Sequence, residues 1–229
     1  MRGLVVGGAL LTIAAGVAHG LPRTFGIHSA QFLAPAVAFV MTAGWMIWSS
    51  RVGKRRKIRA LLGRHDWRGD EVVLDIGCGR GLASIAAAEL APAGRVVGID
   101  LWRSRDLSGN TPEAARANAQ AAGVASRVSF ETGDATELPF EAATFDVVVS
   151  MTVFHNIPSA AGRRQAINEA LRVLRPGGTL LVFDILHTRE YAVAARSAGA
   201  GRVWLSWPAV LWALPGWSMV AEKAEGVER

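Results

Sequence analysis

Two kinds of hydrophobic pattern divide the chain near residue 50. Before it lie two uncharged apolar runs, 4–21 and 30–48, each close to the roughly 20 residues that cross a bilayer core. After residue 70, short β-branched runs alternate with longer mixed stretches, the pattern of a doubly wound parallel sheet. It predicts strands at 71–76, 95–100, 127–131, 145–150 and 179–184, and helices at 82–91, 112–123 and 160–174. Between the two regimes, Lys54 to Arg64 reads as a short basic helix with Ile58, Leu61 and Leu62 on one side. The tail, 202–221, is apolar enough to suggest a third span, but Pro208, Pro215 and Gly216 argue against a regular helix.

The first region is expected to be a transmembrane helical hairpin, residues 1–50, with spans at about 4–21 and 30–49. A cleaved signal peptide is the alternative for the first run and a buried helix for the second. Basic residues concentrate at 51–59, with only Arg2 before the first run and Arg23 between the two. The positive-inside rule then puts both termini and everything after residue 50 on the cytoplasmic side of the inner or plasma membrane. Gly8, Thr12, Gly16 and Gly20 recur every fourth residue, as do Ala30, Ala34, Ala38 and Thr42. Such small-residue faces let helices pack closely in lipid, within one chain or as a homodimer. Trp45 and Trp48 fall at the cytoplasmic end, where indoles favour headgroups.

Charge changes the picture only locally. The chain carries 25 Lys and Arg against 19 Asp and Glu, a net charge of +6. Residues 51–68 hold eight of the basic groups and one acid, so the rest of the chain is slightly acidic. That excludes a nucleic-acid-binding protein and marks 51–68 as a basic juxtamembrane linker resting on anionic headgroups. One cysteine, Cys78, rules out an internal disulfide, and with no Cys/His cluster no metal site is expected.

The chemistry gathers after the first predicted strand, in Asp75-Ile-Gly-Cys-Gly-Arg-Gly81. Glycines at 77, 79 and 81 permit a left-handed turn and let backbone lie against a ligand. A dinucleotide fingerprint would need glycine at 82, where Leu82 stands, and a phosphate loop would need Gly-Lys-Ser/Thr. An acid two residues before the first glycine suits a ligand with a cationic amine better than a pyrophosphate. Asp75, Asp100, Asp134, Ser150 and Asp184 all fall at or just after predicted strand ends, the edge where such sheets bind ligands.

This glycine turn resembles the first motif of class I S-adenosylmethionine (SAM)-dependent methyltransferases. The resemblance continues in order through Val97-Gly-Ile-Asp100, Gly133 to Phe140, Phe145 to Ser150, His155 and Leu171 to Leu181, and it is greatest to the ubiquinone/menaquinone methyltransferase-like branch. It covers about residues 60–223. It implies a Rossmann-like α/β fold over residues 69–229: a doubly wound, mostly parallel seven-stranded sheet with an antiparallel last strand. The tail then supplies strands six and seven. It also implies that the site binds SAM and its product S-adenosylhomocysteine. Asp75, with Gly77, Cys78 and Gly79, is assigned to the methionine part, and Gly81 to close helix packing. Asp100 is assigned to the ribose hydroxyls, with helix capping as its alternative. Leu101 and Trp102 are assigned to the adenine face, although Trp102 equally suits an exposed aromatic. Asp134 and Ala135 are assigned to the adenine edge, or Asp134 to a turn. Ser150 and Met151 offer backbone to the methionine part.

Methyl transfer from a sulfonium asks the protein to align three atoms, exclude water and remove a proton where the acceptor carries one. His155 is the candidate base, since histidine suits proton transfer near neutral pH; a structural histidine bonding its loop is the alternative. Tyr191 and Asp184 are further candidates. A membrane tether and four tryptophans within 204–217 suggest a lipophilic acceptor: a quinone or phenol, an isoprenoid, or a lipid amine. The alternatives are a SAM-binding regulatory protein without turnover and an anchored methyltransferase of a soluble metabolite.

Overall fold

The computed structural model describes residues 30–48, 53–103, 109–211 and 214–225. The chain divides into two compact units, 1–55 with 211–213, and 56–210 with 214–229.

In the first unit the described element is helix α1, Ala30–Trp48. It matches the second apolar run, is uncharged, and exposes Val37, Val40, Met41, Trp45 and Trp48. Its buried small residues are Ala36 and Ala43, whereas Ala34, Ala38 and Thr42 of the expected packing face are exposed. Its 19 residues extend about 28 Å at 1.5 Å per residue, short of the roughly 30 Å hydrocarbon core. Among the described residues no helix is long and apolar enough to cross a membrane. The expected hairpin is therefore unsupported at its second member, and its first member, 4–21, lies outside the described residues.

The second unit is an α/β sheet. Helix α2, Lys54–Leu62, is the expected basic helix, and it buries Ile58, Leu61 and Leu62 while its cations lie on the other faces. Strands and helices then alternate except between β3 and β4, which no helix separates: β1 Val72–Ile76, α3 Leu82–Leu90, β2 Arg95–Asp100, α4 Pro112–Ala121, β3 Val128–Thr132, β4 Phe145–Met151, α5 Ala160–Val173, β5 Leu174–Asp184 and α6 Thr188–Ser197. The chain then closes with β6 Ala200–Leu205, β7 Ala209–Leu211 and β8 Leu214–Lys223. Spatial order is β3-β2-β1-β4-β5-β8-β6, with β7 paired off this path to β8. The first five strands run parallel, and β8 is antiparallel to both β5 and β6.

Most expected elements thus form within a residue or two. Three differ. The sheet has an eighth strand, the short β7. Strand β5 starts at Leu174 rather than 179, because Leu174 pairs with Phe145 before a register shift carries the chain to Thr179 opposite Val147. Helix α6 is additional; Thr188, Tyr191, Ala192 and Ala195 bury one face of it.

The core explains why these segments are strands. Val73, Leu74 and Ile76 of β1, and Val147, Val148 and Val149 of β4, are fully buried, as central parallel strands covered on both faces must be. Asp75 of β1 and Ser150 of β4 lie instead toward the carboxyl edge, whereas Asp146 sits at the amino end of β4.

Candidate active site

The site begins where β1 stops. Gly77, Gly79 and Gly81 all have positive φ (71°, 54° and 79°), so the chain makes a left-handed turn that side-chain-bearing residues resist. Gly77 has a second reason to be glycine, since a Cβ there would collide with both methyls of Val153 in the loop after β4. At Gly81 a Cβ would come within 2.9 Å of the Phe130 ring, in keeping with the packing role expected of it.

The turn's backbone donors are already committed. Gly77 and Cys78 N–H donate to Ile99 O at 2.8 and 3.0 Å, Gly81 N–H to Cys78 O at 2.8 Å, and Gly79 N–H to Asp100 Oδ2 at 2.9 Å. These groups do not wait for a phosphate, so what the turn offers a ligand is carbonyl oxygen and carboxylate. Cys78 turns its side chain under Gly98 of β2, where burial pushes the thiol pKa up, and it takes part through backbone alone.

Asp75 is fully buried at the end of β1, and its Oδ2 accepts from Ser84 Oγ of α3 at 2.5 Å. Burial raises its pKa to about 7, against the opposing Ser84 hydrogen bonds and with a further push from Asp100. A carboxyl group so placed favours a cation beside it. The sign of its pH dependence follows. The folded, ligand-free protein holds a proton that the unfolded chain releases near pH 4, so Asp75's stabilising contribution is complete below about pH 4 and lost as pH rises through about 7. Asp75→Asn should flatten the fall in urea midpoint between about pH 4 and 7; an unchanged slope would remove this account of Asp75.

Asp100 ends β2. Besides Gly79, it accepts from Trp102 N–H at 2.7 Å and Asn110 Nδ2 at 3.0 Å, both on Oδ1. Asn110 is buried, and its Oδ1 has no partner among the described residues. An orphaned buried acceptor next to a carboxylate calls for a ligand that donates, as two neighbouring hydroxyls do. Leu101 is exposed. Trp102, at a positive φ of 56°, donates its indole N–H to Thr132 Oγ1 at 3.1 Å, which lays the ring along the end of β3.

Asp134 caps its own turn, with Oδ1 accepting from Thr136 N–H at 2.8 Å and Thr136 Oγ1 at 2.7 Å, so the turn reading of Asp134 holds for that oxygen. Its loop is tied to Asp100 by Gly133 N–H donating to Asp100 O at 3.2 Å, and Ala135 packs on the core. Ser150 spends its hydroxyl on Ile76 O at 3.1 Å, and with Met151 it presents backbone at the end of β4.

Beyond β4, His155 meets Asp184 at the end of β5. His155 Nδ1 lies 2.5 Å from Asp184 Oδ1, and the His155 backbone N–H donates to Oδ2 at 3.0 Å. Asp184 also accepts from Ile185 N–H at 2.8 Å and from Tyr191 OH at 3.3 Å. A proton on Nδ1 directed at the carboxylate leaves Nε2 as the acceptor nitrogen. Tyr191 is wholly buried, with its pKa raised by burial and by Asp184, so it orients the carboxylate and cannot reach an acceptor. That corrects its expected catalytic role. Arg163 of α5 holds the loop behind His155, donating to Ile157 O and Pro158 O at 3.0 and 3.2 Å while paired with Glu190 of α6 at 2.9 Å.

Sequence reasoning missed Ser84, Asn110, Arg163 and Glu190. Ser84 sits in the first turn of the helix after the glycine motif, and a polar residue amid its alanines was the available signal. Among the described residues no group of His, Cys, Asp or Glu could hold a metal ion.

Comparison with known proteins agrees with this construction. Residues 73–178 match the protein family described as "Methyltransferase domain". The chain is 40% identical over 126 residues to 27-O-demethylrifamycin SV methyltransferase of Amycolatopsis mediterranei, covering 55% of this chain and 43% of that protein. It is 37% identical over 122 residues to the ubiquinone/menaquinone biosynthesis C-methyltransferase of Roseobacter denitrificans, covering 52% and 45%. The chain thus spans about half the length of the curated relatives it matches. Among solved structures, a SAM-dependent methyltransferase from Methanosarcina mazei shares the fold at TM-score 0.59 and 18% identity, over 72% of this chain and 98% of that one. So does the geranyl diphosphate C-methyltransferase of Streptomyces coelicolor A3(2), in complex with Mg2+, geranyl diphosphate and S-adenosylhomocysteine, at TM-score 0.58 and 13% identity, over 75% and 79%. Residues 73–178 of this chain thus match a methyltransferase domain, on a fold shared with SAM-dependent methyltransferases.

Proposed function

We propose that the whole chain is a SAM-dependent methyltransferase that methylates a lipophilic or small-molecule acceptor bearing a removable proton, such as a phenol or reduced quinone, an isoprenoid or a lipid amine. The observation that carries this reading is the pairing of the acceptor groups of Asp75, Asp100 and Asn110 with a histidine braced by Asp184 on the same sheet edge. The relatives named for demethylrifamycin SV and ubiquinone/menaquinone biosynthesis support an organic acceptor.

Bound at this edge, SAM would supply an activated methyl group. Asp75 would hold its ammonium, with the carbonyls of the glycine turn beside it. Asp100 and Asn110 would take the ribose hydroxyls, Leu101 and Trp102 would cover the adenine, and Asp134 and Ala135 would meet its edge. Ser150 and Met151 would line the methionine part with backbone. His155 Nε2 would receive the acceptor's proton, and Asp184, steadied by Tyr191, would stabilise the resulting imidazolium. The test is incubation of the intact protein with methyl-labelled SAM and a lipid extract. Label in an organic-soluble product supports the reading, and SAM binding without labelled product would assign the chain to the non-catalytic class.

We further read α1 as membrane-associated, together with the segment before it. The support is an uncharged helix with Val37, Val40, Met41, Trp45 and Trp48 exposed, followed directly by the basic α2. Val40→Lys and Met41→Lys should each cost about 2.5–3.5 kcal/mol of bilayer insertion and lower the protein's partition into uncharged phosphatidylcholine vesicles. Unchanged partition of the Val40→Lys/Met41→Lys protein into those vesicles would contradict this reading.

A further inference from the structure

Away from the site, α2 and the strands from the tail enclose a surface cavity of about 260 Å3, lined by Lys57, Ala60, Arg64, Trp204, Ser206, Trp207 and Ser218. At roughly 30 Å3 per water, that is space for about eight waters or one oxyanion group with its attached oxygens. The lining holds two cations and no acid. Each cation is seated on an aromatic face: Lys57 Nζ lies 4.4 Å from the centre of the Phe183 ring, and the Arg64 guanidinium lies 4.4 Å from the centre of the Trp204 ring. Such stacking fixes where a cation sits without neutralising it. Burial and the neighbouring Arg64 both lower the Lys57 pKa, the condition that an anion entering the cavity would relieve.

The rim is as distinctive as the floor. Trp207 is 91% exposed, the most exposed of the large apolar residues among those described, and Pro208 follows it. Its loop is held in place: Ser206 Oγ donates to Trp207 O at 2.7 Å and accepts from Ser218 N–H at 2.9 Å, while Ser206 N–H donates to Ser218 O at 2.8 Å. A rigidly mounted, solvent-facing indole beside a two-cation cavity suits the headgroup layer of a bilayer, where indoles concentrate and phosphates are available. Arg55 and Arg59 of α2 are also exposed, two residues before and after Lys57 and so on the opposite side of the helix from it.

We infer that this cavity is a phospholipid headgroup site, in which Lys57 and Arg64 hold the phosphate of an anionic lipid and Trp207 enters the headgroup layer. The site belongs to the α/β unit itself and rests neither on a membrane span nor on the proposed methyl transfer. Its effect would be to hold the α/β unit on the bilayer by a surface next to the end of β5, which also carries Asp184.

The test partitions the intact chain between buffer and two sets of vesicles, phosphatidylcholine alone and phosphatidylcholine with about a quarter phosphatidylglycerol. The apolar N-terminal stretch meets both sets alike, so the ratio of the two partition coefficients reports the anion-dependent part. Lys57→Gln/Arg64→Gln should lower that ratio about tenfold, Trp207→Ser should lower it severalfold, and Arg55→Gln/Arg59→Gln, with the same loss of charge, should lower it much less. Unchanged thermal unfolding and SAM affinity in each variant would show that the fold and the methyltransferase site are intact. Equal losses from the two double variants would mean diffuse attraction and overturn the site. Binding of inorganic phosphate that depends on Lys57 and Arg64, without any preference for phosphatidylglycerol, would make it a site for soluble phosphate compounds and overturn the lipid assignment.

Discussion

Replacing His155 with alanine should lower turnover about 10²–10⁴-fold, the range for losing a positioned general base, while SAM affinity stays nearly constant. The split follows from geometry. His155 binds Asp184 through Nδ1 and its own backbone N–H, on the β4–β5 side of the edge, and makes no bond to Asp75, Asp100 or Asn110. Removing the ring takes away the proton acceptor and leaves the acceptor groups of Asp75, Asp100 and Asn110 as they were. His155→Gln separates the roles further, since it keeps a hydrogen-bonding side chain near Asp184 but cannot take a proton. A glutamine variant with normal turnover would return His155 to the structural reading, in which it only secures the loop after β4.

Asp100→Ala should weaken SAM binding by at least tenfold. Charge-assisted hydrogen bonds contribute roughly 1.5–3 kcal/mol each, and Asp100 would give one or two to the ribose. Two further losses arise inside the protein. Gly79 and Trp102 would each lose the acceptor of a backbone N–H, and Asn110 would lose the acceptor of its side-chain amide, which loosens the turn and the adenine face together. Asp100→Asn offers a finer comparison. It retains one acceptor oxygen but sets an amide against three existing donors, so its loss should fall between wild type and alanine. Calorimetry showing full affinity in a folded Asp100→Ala protein would remove Asp100 from the ribose site.

Much of the domain was legible because parallel strands buried on both faces announce themselves as runs of Val, Ile and Leu, as 72–76 and 145–149 do. The glycine turn was legible for a different reason: each of its three glycines adopts a backbone angle that other residues resist. What the turn does was harder to read. The sequence suggests backbone N–H groups laid against a ligand, whereas those of Gly77, Cys78, Gly79 and Gly81 serve Ile99, Asp100 and Cys78. Only register decides this, by setting Asp75 opposite Gly98 and so placing Ile99 and Asp100 under the turn.

Helix α6 escaped notice although Thr188, Tyr191, Ala192 and Ala195 lie at helical spacing, because alanines give a faint apolar stripe and His187 starts the helix from a left-handed angle. With it went the setting of Tyr191, which looks reactive in sequence and proves to be a buried brace. Asp184 shows the converse. As one more acid at a strand end it is unremarkable in sequence, yet four donors converge on it in three dimensions. The apolar runs before residue 50 illustrate a limit of composition: an uncharged 19-residue helix is present, but its length stops just short of a bilayer core.

The most direct test of the central claim is a calorimetric titration of the intact protein with SAM, S-adenosylhomocysteine and a nicotinamide dinucleotide near pH 7, in two buffers of different ionisation enthalpy. Both SAM ligands should bind with dissociation constants between roughly 1 µM and 1 mM, the dinucleotide should not, and protons should be released as Asp75 ionises against the incoming ammonium. A protein that binds neither SAM nor S-adenosylhomocysteine, or prefers the dinucleotide, would contradict the assignment of this sheet edge.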